Sequence, residues 1–295
     1  MGFFCLAALL FLVNTSIYSA PITFNTALPI SRGEFIVRQQ FIIKKLSQDT
    51  NSPSSLDLKL EETKLVSTIV YGVTPDLTLF ATLPLVNREL KNTNQGRRET
   101  KGIGDSQIVM RYTIFKNDFQ GGSFRIAPFI GARLSTGQTA KKDQFGVLPM
   151  SVQPGMGTGA EIAGIVATYA NYDWELDGQL SYVNNHSSNN VDFGNQVKAD
   201  VSFQYRLFPI KLSENQDYFI NGVIEFNTID KGRNSIAGLD DAKSGGISYL
   251  ISPGIQFISE RYILEAVIQV PIKQPDRGAF LELDQILRIG FRINF

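Results

Sequence analysis

The last stretch of the chain, 280–295 (FLELDQILRIGFRINF), limits what the rest can be. Leu281, Leu283, Leu287, Ile289, Phe291, Ile293 and Phe295 take alternate positions, and Glu282, Asp284, Arg288, Arg292 and Asn294 fill the places between. Gln285 is the one lapse on the apolar side; after Phe280 at the start, Ile286 and Gly290 are the only apolar intruders on the other. A period of two over about sixteen residues describes a single strand with one greasy and one charged face. Soluble strands usually run about 5–6 residues. A strand tilted at about 45° crosses a bilayer in about 9–11 residues, so this one is long enough to span.

The same alternation recurs from Glu34 onward. It predicts strands over 34–46, 59–73, 77–86, 105–115, 124–135, 158–170, 174–183, 194–207, 218–227, 245–258 and 262–270, with 280–295 as the twelfth. The pattern is cleanest where Trp174, Leu176, Gly178, Leu180 and Tyr182 oppose Glu175, Asp177, Gln179 and Ser181. Connections alternate between long polar segments (47–56, 87–104, 136–157, 184–193, 228–244) and mostly short turns such as Thr74-Pro75-Asp76 and Asn171-Tyr172-Asp173. The expected fold is therefore all-β, a transmembrane antiparallel up-and-down β-barrel of about 12 strands, Gram-negative outer-membrane type, with both chain ends on the short-turn side. Phe35, Tyr71, Tyr112, Phe115, Phe124, Tyr169, Trp174, Tyr205, Tyr218, Phe257, Tyr262, Phe291 and Phe295 all fall beside the short turns, where an interfacial aromatic girdle belongs. The competing reading is a soluble β-sandwich or lipocalin-like barrel, which would turn the apolar face inward. Pro84, Pro128 and Pro253 lie inside expected strands and require bulges or strand ends, because a closed barrel has no free edge.

Composition excludes several function classes. Twenty-eight basic and 28 acidic residues cancel, so no nucleic-acid surface is expected, and one Cys and one His build neither a disulfide framework nor a multi-His metal site. The run from Phe3 to Val13 is too short for a spanning helix and fits the apolar region of a secretory signal, although no Lys or Arg precedes it. The expected organisation is a signal peptide over 1–19, taking Cys5 with it, a periplasmic spacer over 20–33 and a barrel over 34–295.

Two segments carry a resemblance. They are Lys101-Gly102-Ile103-Gly104-Asp105 leading to Arg111-Tyr112, and Ala127-Pro128-Phe129 through Gly131, Leu134 and Ser135-Thr136-Gly137; Asp143, Gly146, Pro149, Gln153, Gly155, Gly157 and Thr158 continue it. Together they resemble the outer-membrane family named for the meta-pathway of phenol degradation, whose members are described as transporter-like barrels. Ser135 stands where that family's turn has Pro. The resemblance implies a barrel in the outer membrane and, for function, passage of apolar or aromatic solutes. Similarity to outer-membrane barrels at large implies that Phe291 and Phe295 in the terminal strand are the signal read by the barrel-assembly machinery.

On this reading Arg111, Arg125, Arg133, Arg206, Arg288 and Arg292 share the bore with Glu175, Asp177, Asp200, Glu225, Glu265, Glu282 and Asp284. Two alternatives stand open: a transverse field that orients solutes in a pore, or cross-strand ion pairs that stiffen a filled barrel. The cations of 87–104 (Arg88, Lys91, Arg97, Arg98, Lys101) suit lipopolysaccharide phosphates as well as a solvated loop. Phe145, Val147, Leu148 and Met150 are unusually apolar for a loop and mark a candidate constriction, or a rim contact. The expected function is a passive channel for small molecules, a monomer in outer-membrane lipid and lipopolysaccharide, with no cofactor and no metal. A structural or adhesive barrel working through its loops is the alternative. A lipid hydrolase built on His186 with Ser187 or Ser188 is weaker, because adjacent residues in a polar loop do not hold base and nucleophile in place. Gly155–Gly159 precedes a strand rather than a helix and so is no phosphate loop, and Asp240-Asp241 reads as a solvated turn.

Overall fold

The computed structural model describes residues 19–48, 57–92, 96–188, 190–211, 217–275 and 281–295. The expected signal peptide, Cys5 and Phe280 lie outside them, apart from Ser19 at the signal's last position. The strands are β1 (Phe35–Ser47), β2 (Lys59–Gly72), β3 (Leu77–Asn92), β4 in three segments (Gly96–Ile103, Ser106–Tyr112, Phe115–Phe119), β5 (Gly122–Leu134), β6 (Ala160–Asn171), β7 (Trp174–Asn185), β8 (Gln196–Phe208), β9 (Tyr218–Lys231), β10 (Gly246–Ser259), β11 (Tyr262–Lys273) and β12 (Glu282–Asn294). Each pairs antiparallel with its neighbours in sequence, and β12 returns to β1, so the sheet closes as a barrel of twelve strands. The seam is tight at its end. Phe295 and Phe35 exchange backbone hydrogen bonds of 3.0 and 3.2 Å, and their rings stack at 4.8 Å.

The charged faces point inward and the greasy faces outward. Glu225, Asp177, Gln204, Gln256 and Ser252 are buried, whereas Ile224, Leu176, Phe203 and Ile255 on the same strands are exposed. This is the reverse of a soluble sandwich or lipocalin-like barrel. Rings gather near the short turns in the stacked series Phe119–Tyr169–Trp174 and Phe208–Tyr218–Phe257, with centroids 4.8 to 5.4 Å apart.

Two expectations require correction. The stretch 87–104 is not a loop: β3 and the first segment of β4 continue as a hairpin from Leu85↔Ile103 to Asn92↔Gly96. Nor is 20–33 a periplasmic spacer, because it lies folded inside the barrel, with Ala20, Ile22, Phe24, Ala27 and Leu28 buried. Its exit past the end of β2 requires a glycine there. A Cβ on Gly72 would stand 2.1 Å from the Ser31 carbonyl oxygen.

The prolines sit where the ladder is interrupted. Pro84 falls between the two segments of β4 that pair with β3, at Leu85↔Ile103 and Thr82↔Gln107. Pro128 faces the break between Arg111↔Phe129 and Phe115↔Ile126, and Pro253 the gap between Ile251↔Val270 and Gly254↔Val267. No neighbour asks these residues for the N–H they lack.

Candidate functional site: a plugged and charged bore

The bore divides into two halves. In the short-turn half, residues 19–34 run through the lumen and are held by inward side chains from strands all around it. Glu225 accepts from the Ile22 and Thr23 amides at 2.6 and 3.2 Å. Arg38 and Gln40 donate to the Ile22 carbonyl at 2.7 and 3.0 Å, and Gln256 donates to the Ala20 carbonyl at 2.8 Å. Arg292 reaches the Pro21 carbonyl at 2.9 Å and Arg111 the Leu28 carbonyl at 2.7 Å. Thr168 accepts from the Ala27 amide at 2.8 Å while donating to Asp177. An irregular backbone buried in a barrel must find partners for its amides and carbonyls. Here the barrel wall supplies them. Beside the segment lies a cavity of about 260 Å³ lined by Phe24, Asn25, Leu28, Phe80 and Arg111 among others. A second, of about 440 Å³, opens at the short-turn mouth near Ser19, Tyr172, Glu175 and Arg206.

Glu265 binds the wall together at this level. It pairs with Arg38 and Arg292, each at 2.6 Å, and also accepts from Gln40 at 2.9 Å. The remaining arginines expected in the bore are distributed differently. Arg125 pairs with Asp118 at 2.6 Å and Arg206 pairs with Asp173, both at the short-turn rim. Arg133 donates to Asn185 at 2.9 Å and Arg288 to Gln269 at 2.7 Å, nearer the long loops. Asp200 is buried and accepts from Asn227 at 2.9 Å. Glu175 and Asp177 are buried with Gln204 between them and the Ser19 hydroxyl.

In the long-loop half, Lys44, Glu62 and Arg88 face one another in register across β1, β2 and β3. Glu62 pairs with Lys64 at 2.6 Å and with Arg88 at 2.5 Å. The loop 136–157 folds back onto the inner side of the β3–β4 hairpin. Arg88 donates to the Gln153 carbonyl, and buried Gln153 bonds Lys141 and Leu148 main chain at 3.0 Å. Asp105 receives the Gly137 and Met156 amides at 2.9 and 2.7 Å, and Arg98 pairs with Asp143 at 2.8 Å. Hydrogen bonding from Arg98 holds the Asp143 carboxyl below its ordinary range. Of the three loop residues singled out from the sequence, Leu148 is buried while Phe145 and Met150 are exposed, the former 5.9 Å from the Arg98 guanidinium. His186 meets Glu161 at 2.6 Å, both exposed; no bond to a serine hydroxyl is seen at His186 among the described residues.

Sequence reasoning missed Arg38, Gln40, Thr168, Gln204 and Gln256, and it missed the segment they hold. A signal was present: Pro21, Ile22, Phe24, Ala27, Leu28, Pro29 and Ile30 are too apolar for a tether in water.

A closed twelve-stranded barrel with a polar interior and an apolar, aromatic-ringed exterior has the architecture of outer-membrane β-barrels. Among solved structures the chain is similar to the COG4313 outer membrane channel from Pseudomonas putida F1, with TM-score 0.72 and 14% identity over 94% of this chain and 100% of that one. It is also similar to the beta domain of the Bordetella autotransporter BrkA, with TM-score 0.50 and 10% identity over 90% and 100% of the two chains. At such identities the likeness is one of fold. No family model matches the sequence, and no curated protein matches it.

Proposed function

We propose that the protein is an outer-membrane channel for small molecules, with the short turns on the periplasmic side and residues 19–34 forming a plug at that end. The observation that carries this reading is the interior itself. A barrel needed only as a scaffold has no use for a hydrogen-bonded strap across half its lumen and a second half lined with inward charges. The TM-score of 0.72 to a protein described as an outer membrane channel supports the same reading, as does the resemblance of 101–137 to the transporter-like family, which extends it to apolar or aromatic solutes. A closed structural barrel whose loops do the work is the second reading, and one experiment separates the two. Refolded protein in planar bilayers is expected to give small, interrupted current steps. Glu225→Gln combined with Thr168→Val, which loosens the strap without touching the outer half, is expected to lengthen the open times. Silence from both proteins at all voltages and salts would retire the channel. Liposome swelling with sugars, amino acids and phenolic acids would then rank solutes.

A further inference from the structure

The charges of the bore are sorted by depth. In the plugged half, Glu225 and Glu265 are bonded to the strap or to arginines that hold it, and Asp177 takes the Thr168 hydroxyl. Above the plug the sign changes. Lys44, Arg88, Arg133, Lys198 and Lys231 occupy inward positions in the long-loop halves of their strands, and Lys64 and Arg288 inward positions near mid-strand, by the same alternation that buries Glu62, Asp200 and Glu225. The carboxylates at this level are Glu62, already paired with Lys64 and Arg88, Asp200, held by Asn227 and Gln179, and Asp105, which faces Arg133 but is bonded to the Gly137 and Met156 amides. Glu282 and Asp284 lie further out at the rim of β12, Asp284 bonded by Ser47 at 2.5 Å.

The lysines are not spent on partners. Among the described residues Lys44, Lys198 and Lys231 have neither a hydrogen bond nor an ion pair, yet they stand close enough to repel. Lys44 faces Lys231, Lys64 and Arg88 against one carboxylate, Glu62, opposite it in register, and Lys198 faces Lys231, Arg288 and Arg133 against Asp200, with Lys231 the most exposed of the three. Since β1 and β2 lie across the lumen from β8 and β9, these charges converge from different sides of the wall. Holding several unpaired cations together in a bore of low-dielectric walls costs free energy that a bound anion would offset. The neighbouring wall is apolar: Val86, Ala160, Ile162 and Val183 are buried inward residues, the last three packed with Phe129.

We propose that this outer compartment is an anion-binding site that selects small organic carboxylates, the charged group drawn to Lys44, Lys198 and Lys231 and a compact apolar body resting on the half-buried ring of Phe129, which itself packs on Ile162 and Val183. The assignment rests on the channel reading of the bore and narrows its solutes to those that join an apolar or aromatic body to a carboxylate. Reversal potentials of the full chain in a potassium chloride gradient, with benzoate then replacing chloride, provide the test. The wild type is expected to favour anions by about threefold or more, as a cation-lined constriction does. Lys44→Gln, Lys198→Gln and Lys231→Gln together should bring the ratio near one, while arginine at the same three positions should keep it. Heat-modified migration on gels confirms that each variant has refolded. Preference for potassium, or a ratio unmoved by the three glutamines, overturns the proposal. Should the bilayers stay silent, calorimetric titration of benzoate into the detergent-solubilised protein decides instead. Binding that the glutamine variant loses keeps the site while the channel reading falls, and no binding by the wild type removes the site.

Discussion

Glu265 illustrates what a single residue does in this barrel. Its side chain is fully buried, and it neutralises Arg38 and Arg292, which in turn grip the Ile22 and Pro21 carbonyls. Replacing it by Leu leaves two buried guanidiniums facing each other. Loss of one member of such a group typically costs about 3–5 kcal/mol. Urea unfolding of Glu265→Leu in lipid vesicles should therefore show a loss of that order, whereas Glu282→Leu at the rim should cost little. That Glu265 and Arg292 point inward was legible from alternation. That they act together was not, because their contact depends on β11–β12 pairing, on Arg38 from β1, and on a strap that alternation does not describe.

At the scale of elements, the loop 136–157 was recognisable as exceptional by its apolar residues, but its path was not. It is tied to the β3–β4 hairpin by Arg98–Asp143 and by Arg88 to Gln153, and the hairpin itself was read as a loop because charges on both faces hide the period of two. Asp143 is held below its ordinary range in the folded chain, chiefly by Arg98. A carboxyl with a depressed folded pKa stabilises above its unfolded value, about 3.9 for Asp, and the contribution disappears as pH falls through the lowered value. A spin label on Phe145→Cys should thus be restrained at neutral pH and become mobile only in strong acid. Adding Asp143→Asn should make it mobile throughout. The prolines tell the opposite story: the N–H that Pro84, Pro128 and Pro253 lack demands a break in the ladder at each, and breaks are where they lie.

For the whole molecule the decisive matter is which face meets lipid. Ile224 is exposed in mid-strand beside fully buried Glu225. Arginine at position 224 would face hydrocarbon, and near the bilayer midplane such a substitution costs roughly 2–4 kcal/mol. Equilibrium refolding into phosphatidylcholine vesicles should record that loss; an Ile224→Arg protein as stable as the wild type would mean the outer face does not meet lipid.

The period of two, the long strands and the alternation of short and long connections were enough to specify about twelve strands, their order and the direction of the side chains wherever the alternation is clean, because a strand's two faces are fixed by the backbone alone; the β3–β4 hairpin, charged on both faces, escaped it. The tertiary structure decided what fills the enclosed space. Residues 19–34 carry no periodicity, and their place in the lumen comes from carbonyls and amides that only a closed ring of Arg38, Thr168, Glu225 and Arg292 can satisfy. The separation of the bore into a plugged half and a cationic half likewise arises from register across strands distant in sequence, which no local pattern records.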